Sequence, residues 1–285
     1  MSRRNIDIDD NEIRVISPDG GRGIHARPRR LFFIATACAT VAIVALVIAL
    51  IWSGDDADDA ESEQLAATQV ATAPADTASV AKKGYVEITD TIIGGEPITI
   101  LTPRDAVPQL HIGIDALQSS DVVLAMQAAD IRGDNGGIVG AYVLKGNLVS
   151  KGQAKSGFCA IIDGKTTIGV ADATPFLERA IEANGYFFRQ YPLVVGNQLV
   201  ENKPKGRSLR KALAEWNGNV VVILSHERLS FHDFAQMLVD MGVSNAIYLV
   251  GSEAFGFAVD ANGKRTEYGK EAPSPSVSTN YIIWR

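Results

Sequence analysis

The sequence has few of the residues and motifs that carry the commonest kinds of protein chemistry. Among 285 residues there are only two Cys, too few for a disulfide-built fold. There is no phosphate-loop or dinucleotide fingerprint, no His-Glu-x-x-His, no Gly-x-Ser-x-Gly and no Cys/His set at metal-ligand spacing, so we expect neither cofactor nor metal. Basic residues are outnumbered, 27 against 33 acidic, and this balance argues against a nucleic-acid partner.

The two cysteines are separated by the predicted organisation of the chain. Cys38 belongs to a long apolar run, and Cys159 is the one Cys in the rest of the protein. Because Cys159 stands in the apolar segment 158–162, we predict that it is a small buried hydrophobe. A catalytic thiol is the alternative.

One long apolar run dominates the N-terminal part. Residues 31–52 carry no charge over 22 positions, and at about 1.5 Å per residue a helix of that length reaches about 33 Å, enough to span a membrane. A cleaved signal peptide is the competing interpretation, but its apolar region is typically about 7–15 residues and ends at a small-x-small site. The length of the run and the 30 residues before it favour an uncleaved transmembrane helix.

The charges on either side of the run predict its orientation. Seven Arg precede it, whereas Asp55 begins an acidic stretch with no Lys or Arg before Lys82. Positive residues stay on the cytoplasmic side. We therefore predict a cytoplasmic tail (1–30), a transmembrane helix (31–52) and an exported remainder, periplasmic or extracellular, with a net charge of −8.

The exported part divides into a stalk and a folded domain. Residues 53–83 are acidic and then rich in Ala and Thr, which predicts a flexible stalk; a short isolated helix around 57–69 is the alternative. Residues 84–285 contain short β-like runs, with turn residues between them, and two helical patterns. We predict an α/β (α+β) domain built on a mixed β-sheet with at least two packed helices.

Local signals identify particular elements of this domain. Asp163-Gly164 lies between two apolar runs and predicts a two-residue hairpin turn. Thr174-Pro175 predicts the start of a first helix that ends at Asn184-Gly185. Ser230 and Asp233 form a capping box for a second helix, which Gly242 ends and which two buried strands flank.

Several segments in unbroken order across about residues 110–285 resemble the phosphodiester glycosidase domain, found in the lysosomal enzyme that uncovers mannose 6-phosphate and in compact bacterial relatives. The segments are Gly140–Gly146, Ser156–Gly164, Ala173–Leu177, Gln190–Gly196, Arg210, Ile223–Ala235 and Ser244–Gly251. Ser-Phe-His-Asp-Phe-Ala at 230–235, followed by Asn-Ala-Ile-Tyr-Leu at 245–249, is the most specific part. The resemblance implies the fold of that family and an activity on sugar phosphodiesters.

The chain departs from the family where the chemistry is expected. Asp130 stands where relatives have Asn, Val250 where they have Asp, and Ala254 where a Ser usually follows. Hydrolysis at an anomeric carbon needs a placed acid or base, a group worth about 10²–10⁴-fold in rate. Val250 cannot supply it, so we predict that catalysis by the family's usual route is absent or severely weakened.

The resemblance still implies a set of site residues. Asp130 is the candidate acid or base, with a solvated turn residue as the alternative, and Arg210 is the candidate phosphate fork, with a solvated basic strand as the alternative. The residues implied in substrate binding are Gln190, Gly251, Ser252 and Glu253.

Two classes of function remain open at this point. One is a membrane-anchored hydrolase-like domain that acts on or recognises a sugar phosphodiester or envelope glycan. The other is a non-catalytic module that binds an anionic glycan or an envelope protein. A working enzyme should keep a carboxylate close to Arg210 in space, and this requirement separates them.

Overall fold

The computed structural model describes residues 84–152, 154–270, 276 and 278–285, together with the backbone of residues 14–15. The predicted transmembrane helix at 31–52, the stalk at 53–83 and the rest of the predicted tail lie outside the described residues. Within the described part, no helix has the length and apolar character needed to cross a membrane. The described residues belong to one compact unit, and the second unit, 20–80, lies outside them.

Strands make up most of the regular secondary structure of the described domain, together with two short α-helices and one 3-10 helix. The helices are a 3-10 turn (Asp115–Gln118), α1 (Phe176–Glu182) and α2 (Phe231–Asp240). The strands are β1 (Arg14–Val15), β2 (Tyr85–Ile93), β3 (Glu96–Arg104), β4 (Pro108–Ile112), β5 (Leu124–Gln127), β6 (Tyr142–Leu144), β7 (Asn147–Ser150), β8 (Gly157–Ile162), β9 (Lys165–Val170), β10 (Tyr186–Gln190), β11 (Pro192–Val195), β12 (Gln198–Glu201), β13 (Lys211–Trp216), β14 (Asn219–Ser225), β15 (Asn245–Leu249), β16 (Gly256–Val259), β17 (Arg265–Tyr268) and β18 (Asn280–Trp284). The prediction of a sheet-based domain with two helices is confirmed.

The strands form three sheets. The largest has the order β1-β12-β11-β15-β13-β14-β3-β2, and the two five-stranded sheets run β7-β6-β10-β8-β9 and β17-β16-β5-β18-β4. Each pairing between described strands is antiparallel. The large sheet is covered on both faces, so β13 alternates between two cores: Leu213 packs into one, and Ala212 and Ala214 pack with α2 into the other.

The predicted local elements are present. Ile162 pairs with Lys165 across the turn, and Asp163 and Gly164 both have positive φ, 50° and 74°, as a type I′ hairpin turn requires. At α2 the backbone N–H of Asp233 donates to the Ser230 hydroxyl at 3.0 Å. Cys159 is fully buried, as predicted.

The strands from β10 to β13 were not individually predicted. They are buried on both faces, and polar residues occupy some of their inward positions: Arg189 is 3% exposed and Gln190 is fully buried. Between Pro192 and Val194 the register of β11 against β15 shifts, forming an irregularity of the β-bulge kind beside the candidate site. This stretch therefore has neither a clean alternation nor a continuous apolar run, the two patterns from which strands are predicted.

Candidate functional site

The Asp130 carboxylate lies just beyond the end of β5 and is held by two donors. Its side chain is 33% exposed. One oxygen accepts a hydrogen bond from Gln190 Nε2 at 3.2 Å, and the other forms an ion pair with Lys155 Nζ. A carboxylate has about four lone-pair positions, so two donors leave capacity for a ligand on its exposed side.

Lys155 is the buried partner of this carboxylate. Its side chain is 4% exposed, its ammonium donates to Gln190 Oε1 at 2.9 Å, and it lies 4.3 Å from the centre of the Tyr191 ring. Its backbone is in the left-handed region, with φ of 67°, which is uncommon for a residue other than Gly. Sequence reasoning missed Lys155, because its one distinctive feature is a set of contacts with residues distant in the chain.

Gln190 fixes the relative positions of these groups from the end of β10. Its Nε2 also donates to the Ala128 carbonyl at 3.3 Å, and its Oε1 also accepts from the Tyr191 backbone N–H at 3.0 Å. Both ends of the amide therefore have partners. We name Asp130, Lys155 and Gln190 the carboxylate network.

Arg210 lies in an adjoining group of aromatic rings. The centre of the Phe231 ring lies 5.3 Å from that of Tyr191 and 4.9 Å from that of Tyr248. The Arg210 guanidinium lies 4.1 Å from the centre of the Phe231 ring. Its Nε donates to the Leu229 carbonyl at 2.9 Å and its Nη2 donates to the Gly206 carbonyl. We name Arg210, Tyr191, Phe231 and Tyr248 the arginine-aromatic cluster.

Tyr248 links the two groups electrostatically. Burial raises the pKa of the Tyr248 phenol, the charge of Arg210 opposes that rise, and the charge of Asp130 adds to it. The structure therefore brings Asp130 and Arg210, the two predicted catalytic residues, to one locality, but their side chains bond to different partners.

Val250 lies between these groups. The register of β13 against β15 pairs Lys211 with Leu249, and Arg210 and Val250 come one residue further along the two strands. Beyond them, Ser252 N still donates to Leu209 O at 2.8 Å, so the two segments stay side by side. The Val250 N–H donates to the Gln127 carbonyl at the end of β5, 3.2 Å away, which ties this strand end to the Asp130 segment.

The three residues after Val250 have different surroundings. Gly251 is buried and its N–H donates to the Tyr248 hydroxyl at 3.0 Å; a Cβ there would lie 2.4 Å from that oxygen, so only Gly fits. Ser252 and Glu253 are exposed, and Glu253 pairs with Lys270 at 3.5 Å rather than with Arg210. Of the predicted substrate-binding residues, Gln190 and Gly251 contact the cluster or the network, and the side chain of Glu253 points to another partner.

A second buried lysine lies on the opposite face of the strand pair. Lys211 is 3% exposed, and its ammonium donates to the Ala254 carbonyl. Burial lowers the pKa of Lys211 to about 8. The amine is thus easier to deprotonate than an ordinary lysine, although it packs on the side of the core away from Arg210.

A cleft of about 540 Å³ adjoins the Asp130 segment. Val139 and Ala154 line it, and the Val139 N–H donates to the Asp130 carbonyl at 2.9 Å. Two cationic side chains, Arg132 and Lys151, also belong to its lining. None of Asp130, Lys155 and Gln190 is among its described lining residues, so the cleft adjoins the carboxylate network without including it.

Comparison with known proteins finds likeness in the fold. No family model matches the chain, and no curated protein sequence matches it. A hypothetical protein from Synechocystis superposes with a TM-score of 0.51 at 15% identity, over 71% of this chain and 62% of that one. The zebrafish N-acetylglucosamine-1-phosphodiester alpha-N-acetylglucosaminidase catalytic domain, auto-inhibited by its pro-peptide, gives a TM-score of 0.49 at 12% identity, over 73% of this chain and 84% of that one. The similarity to the Synechocystis protein shows a shared fold.

Proposed function

We propose that this domain is a phosphodiester glycosidase-like module that binds a sugar phosphodiester or related envelope glycan and hydrolyses it slowly at most. The observation that carries the proposal is the carboxylate network beside the arginine-aromatic cluster. The Asp130 carboxylate, 33% exposed, can accept hydrogen bonds from sugar hydroxyls, and the partly exposed Tyr191 lies beside the network. The order of family-like segments along the sequence supports the same assignment.

Two features support weak catalysis. Val250 occupies the strand end beside Arg210, where the family-like pattern has a carboxylate. The donors Nε and Nη2 of Arg210 are bonded to the carbonyls of Leu229 and Gly206 rather than being open to a phosphate. A bidentate fork through the Nε and Nη2 edge of the guanidinium would first have to break these two bonds.

The test measures binding and turnover on the full-length chain purified in mild detergent. Binding of N-acetylglucosamine 1-phosphate and of a nucleotide sugar is followed by calorimetry, and hydrolysis of p-nitrophenyl and nucleotide-sugar phosphodiesters by product release. Asp130→Asn and Arg210→Ala should each weaken binding, whereas Arg179→Ala, at an exposed Arg on α1, should not. Loss of binding in none of these variants, or equal loss in all three, contradicts the proposal.

The second candidate is a binding module with no turnover at all, and the bonding of the Arg210 guanidinium to backbone carbonyls favours it. The same assay separates the two. Slow hydrolysis that disappears in Asp130→Asn supports the weakened enzyme, and binding without hydrolysis supports the pure binding module. Rapid hydrolysis that Arg210→Ala abolishes would contradict the proposal of weak catalysis and would support a fully active enzyme.

Anchoring at a membrane is also part of the proposal, with the N-terminus cytoplasmic and the domain on the other side. The uncharged run at 31–52 and the Arg residues before it support this topology. The pairing of β1 with Val200 and Glu201 of β12, however, needs residues 14–15 on the same side as the domain, so this pairing and the topology exclude each other.

Protease added to intact cells or spheroplasts distinguishes the two arrangements. If the topology is correct, the protease removes the C-terminal domain and spares an epitope tag at the N-terminus. A protected domain would overturn the topology, and protection of both the domain and the tag would be consistent with the β1 pairing.

A further inference from the structure

Two neighbouring residues of β10 hold Lys155 at both of its ends. Arg189 Nη1 donates to the Lys155 carbonyl at 3.0 Å, and Gln190 Oε1 accepts from the Lys155 ammonium at 2.9 Å. Successive side chains of a strand point to opposite faces, so Arg189 approaches from one side of β10 and Gln190 from the other. The main chain and the charged end of Lys155 are thus fixed independently.

The burial of the Arg189 guanidinium is energetically more unfavourable than a purely structural role would explain. It is 3% exposed, and its guanidinium donates to the carbonyls of Lys155, Ala171 at 2.8 Å and Asp172 at 2.7 Å. Among the described residues no carboxylate lies within ion-pair distance of it, and its Nε has no hydrogen-bond partner. Burial lowers the pKa of Arg189, and the charge of Asp172 opposes that fall. Burying a cation is unfavourable even with the charge of Asp172 nearby, and the charged residues whose backbone Arg189 contacts are Lys155 and Asp172.

The backbone of Lys155 carries a second local cost. A φ of 67° is unfavourable by about 1 kcal/mol or more for a residue with a Cβ. Strain of this kind persists where the surroundings impose it. Both unfavourable features place an ammonium beside one oxygen of the partly exposed Asp130 carboxylate.

We propose that Lys155 and Arg189 are positioning residues for the Asp130 carboxylate: Arg189 sets the backbone of Lys155, and Lys155, together with Gln190, sets the direction of both carboxylate oxygens. The inference rests on the proposed function, in which Asp130 contacts the sugar. Without the ammonium one oxygen loses its partner and the carboxylate can rotate towards solvent. A misplacement of about 1 Å in such a group can cost about 10²-fold in rate or a comparable loss in affinity.

The first experiment asks whether Lys155 acts through Asp130. Lys155→Met should weaken binding or turnover of the full-length chain by about 10²-fold, whereas in an Asp130→Asn background it should change them less than about twofold. Lys165→Met, at an exposed lysine of β9, is the control and should have no effect in either background. An equal loss from Lys155→Met in both backgrounds would overturn the proposal, because a residue that only supports the fold would act in both.

The second experiment needs no activity. Amine acylation of the full-length chain, read by peptide mass spectrometry, should label Lys155 more than about tenfold more slowly than Lys165. Arg189→Met, and separately Asp130→Asn, should raise the labelling rate of Lys155 by at least about tenfold while leaving that of Lys165 unchanged.

The two experiments separate failure of the proposal from failure of the proposed function. Unchanged labelling of Lys155 in both variants would overturn the positioning role. If Arg189→Met does not fold, which a melting curve shows, Asp130→Asn alone decides this point. A wild-type chain that neither binds nor hydrolyses a sugar phosphodiester would instead overturn the proposed function, whatever the labelling result.

Discussion

Replacing Val250 with Asp places a carboxylate beside Arg210. Val250 is half-buried at the end of β15, one residue beyond the pair formed by Lys211 and Leu249. Facing residues of antiparallel strands have Cβ atoms about 4.5–5.5 Å apart, so a carboxylate at position 250 would lie within reach of the guanidinium. The substitution also restores the residue type that the family-like pattern has at this strand end.

Two opposing energies set the expected effect on stability. A carboxylate without a partner at a half-buried position lowers the free energy of unfolding by about 3 kcal/mol. Attraction to a guanidinium about 5 Å away, at an effective dielectric constant of about 20, raises the free energy of unfolding by about 3 kcal/mol. Val250→Asp alone should therefore change the free energy of unfolding by less than about 2 kcal/mol, and the same change in an Arg210→Met background should cost about 3 kcal/mol more.

The assay is a double-mutant cycle on thermal unfolding of the full-length chain. For a domain of about 200 residues, 1 kcal/mol corresponds to about 2–4 °C in Tm, so a coupling of 3 kcal/mol appears as about 6–12 °C. Val250→Asn is the neutral control and should show no coupling. Coupling below about 0.5 kcal/mol would refute the reasoning, because it would mean that position 250 does not face the guanidinium. If the new carboxylate beside Arg210 acts as the acid or base, Val250→Asp should also raise phosphodiester hydrolysis by about 10²-fold.

Three further predictions concern the rest of the domain. Burial lowers the pKa of Lys211 to about 8, so the folded state loses this proton at a lower pH than the unfolded state does. The free energy of unfolding, measured by chemical denaturation, should therefore rise between pH 8 and 9.5. Lys211→Met should abolish this rise. Burial raises the pKa of the Cys159 thiol, so iodoacetamide at pH 8 should modify Cys159 only in denaturant; modification of the native protein would contradict its assignment as a core residue. Ser230→Ala removes the acceptor for the Asp233 N–H and should lower the free energy of unfolding by about 1 kcal/mol, or about 2–4 °C in Tm, whereas Ser252→Ala, at an exposed position, should not.

The parts of the fold that could be predicted from the sequence are those set by short-range physical constraints. The hairpin turn at 163–164 needs residues that tolerate positive φ, and Asp-Gly is such a pair. The start of α2 needs an acceptor for a free N–H, and Ser230 supplies it three residues before the donor. Each requirement is met by residues within about four positions of one another, so the sequence pattern alone can indicate it.

The candidate site could be predicted only in part, because its contacts join distant segments. Asp130 is bonded to residues 25 and 60 positions away, Lys155 and Gln190. The family-like order of segments pointed to Asp130, Gln190 and Arg210, but it gave no reason to single out Lys155. A buried lysine is distinguished from an exposed one by the folded surroundings, which here are β10 and the end of β5.

The different partners of the Lys155 and Arg210 side chains indicate which part of a ligand the site recognises. Lys155 has a carboxylate partner, whereas Arg210, with Val250 beside it, has two backbone carbonyls and the face of Phe231. Both charges are therefore engaged before any ligand arrives. A phosphate that takes the Nε or Nη2 donor of Arg210 competes with backbone oxygens, and one that takes the Lys155 ammonium competes with Asp130; either exchange leaves an acceptor without its donor, at about 1–3 kcal/mol. Sugar hydroxyls face no such competition, because the exposed side of Asp130 can still accept from them. Recognition in this protein should consequently depend more on the sugar than on the phosphate.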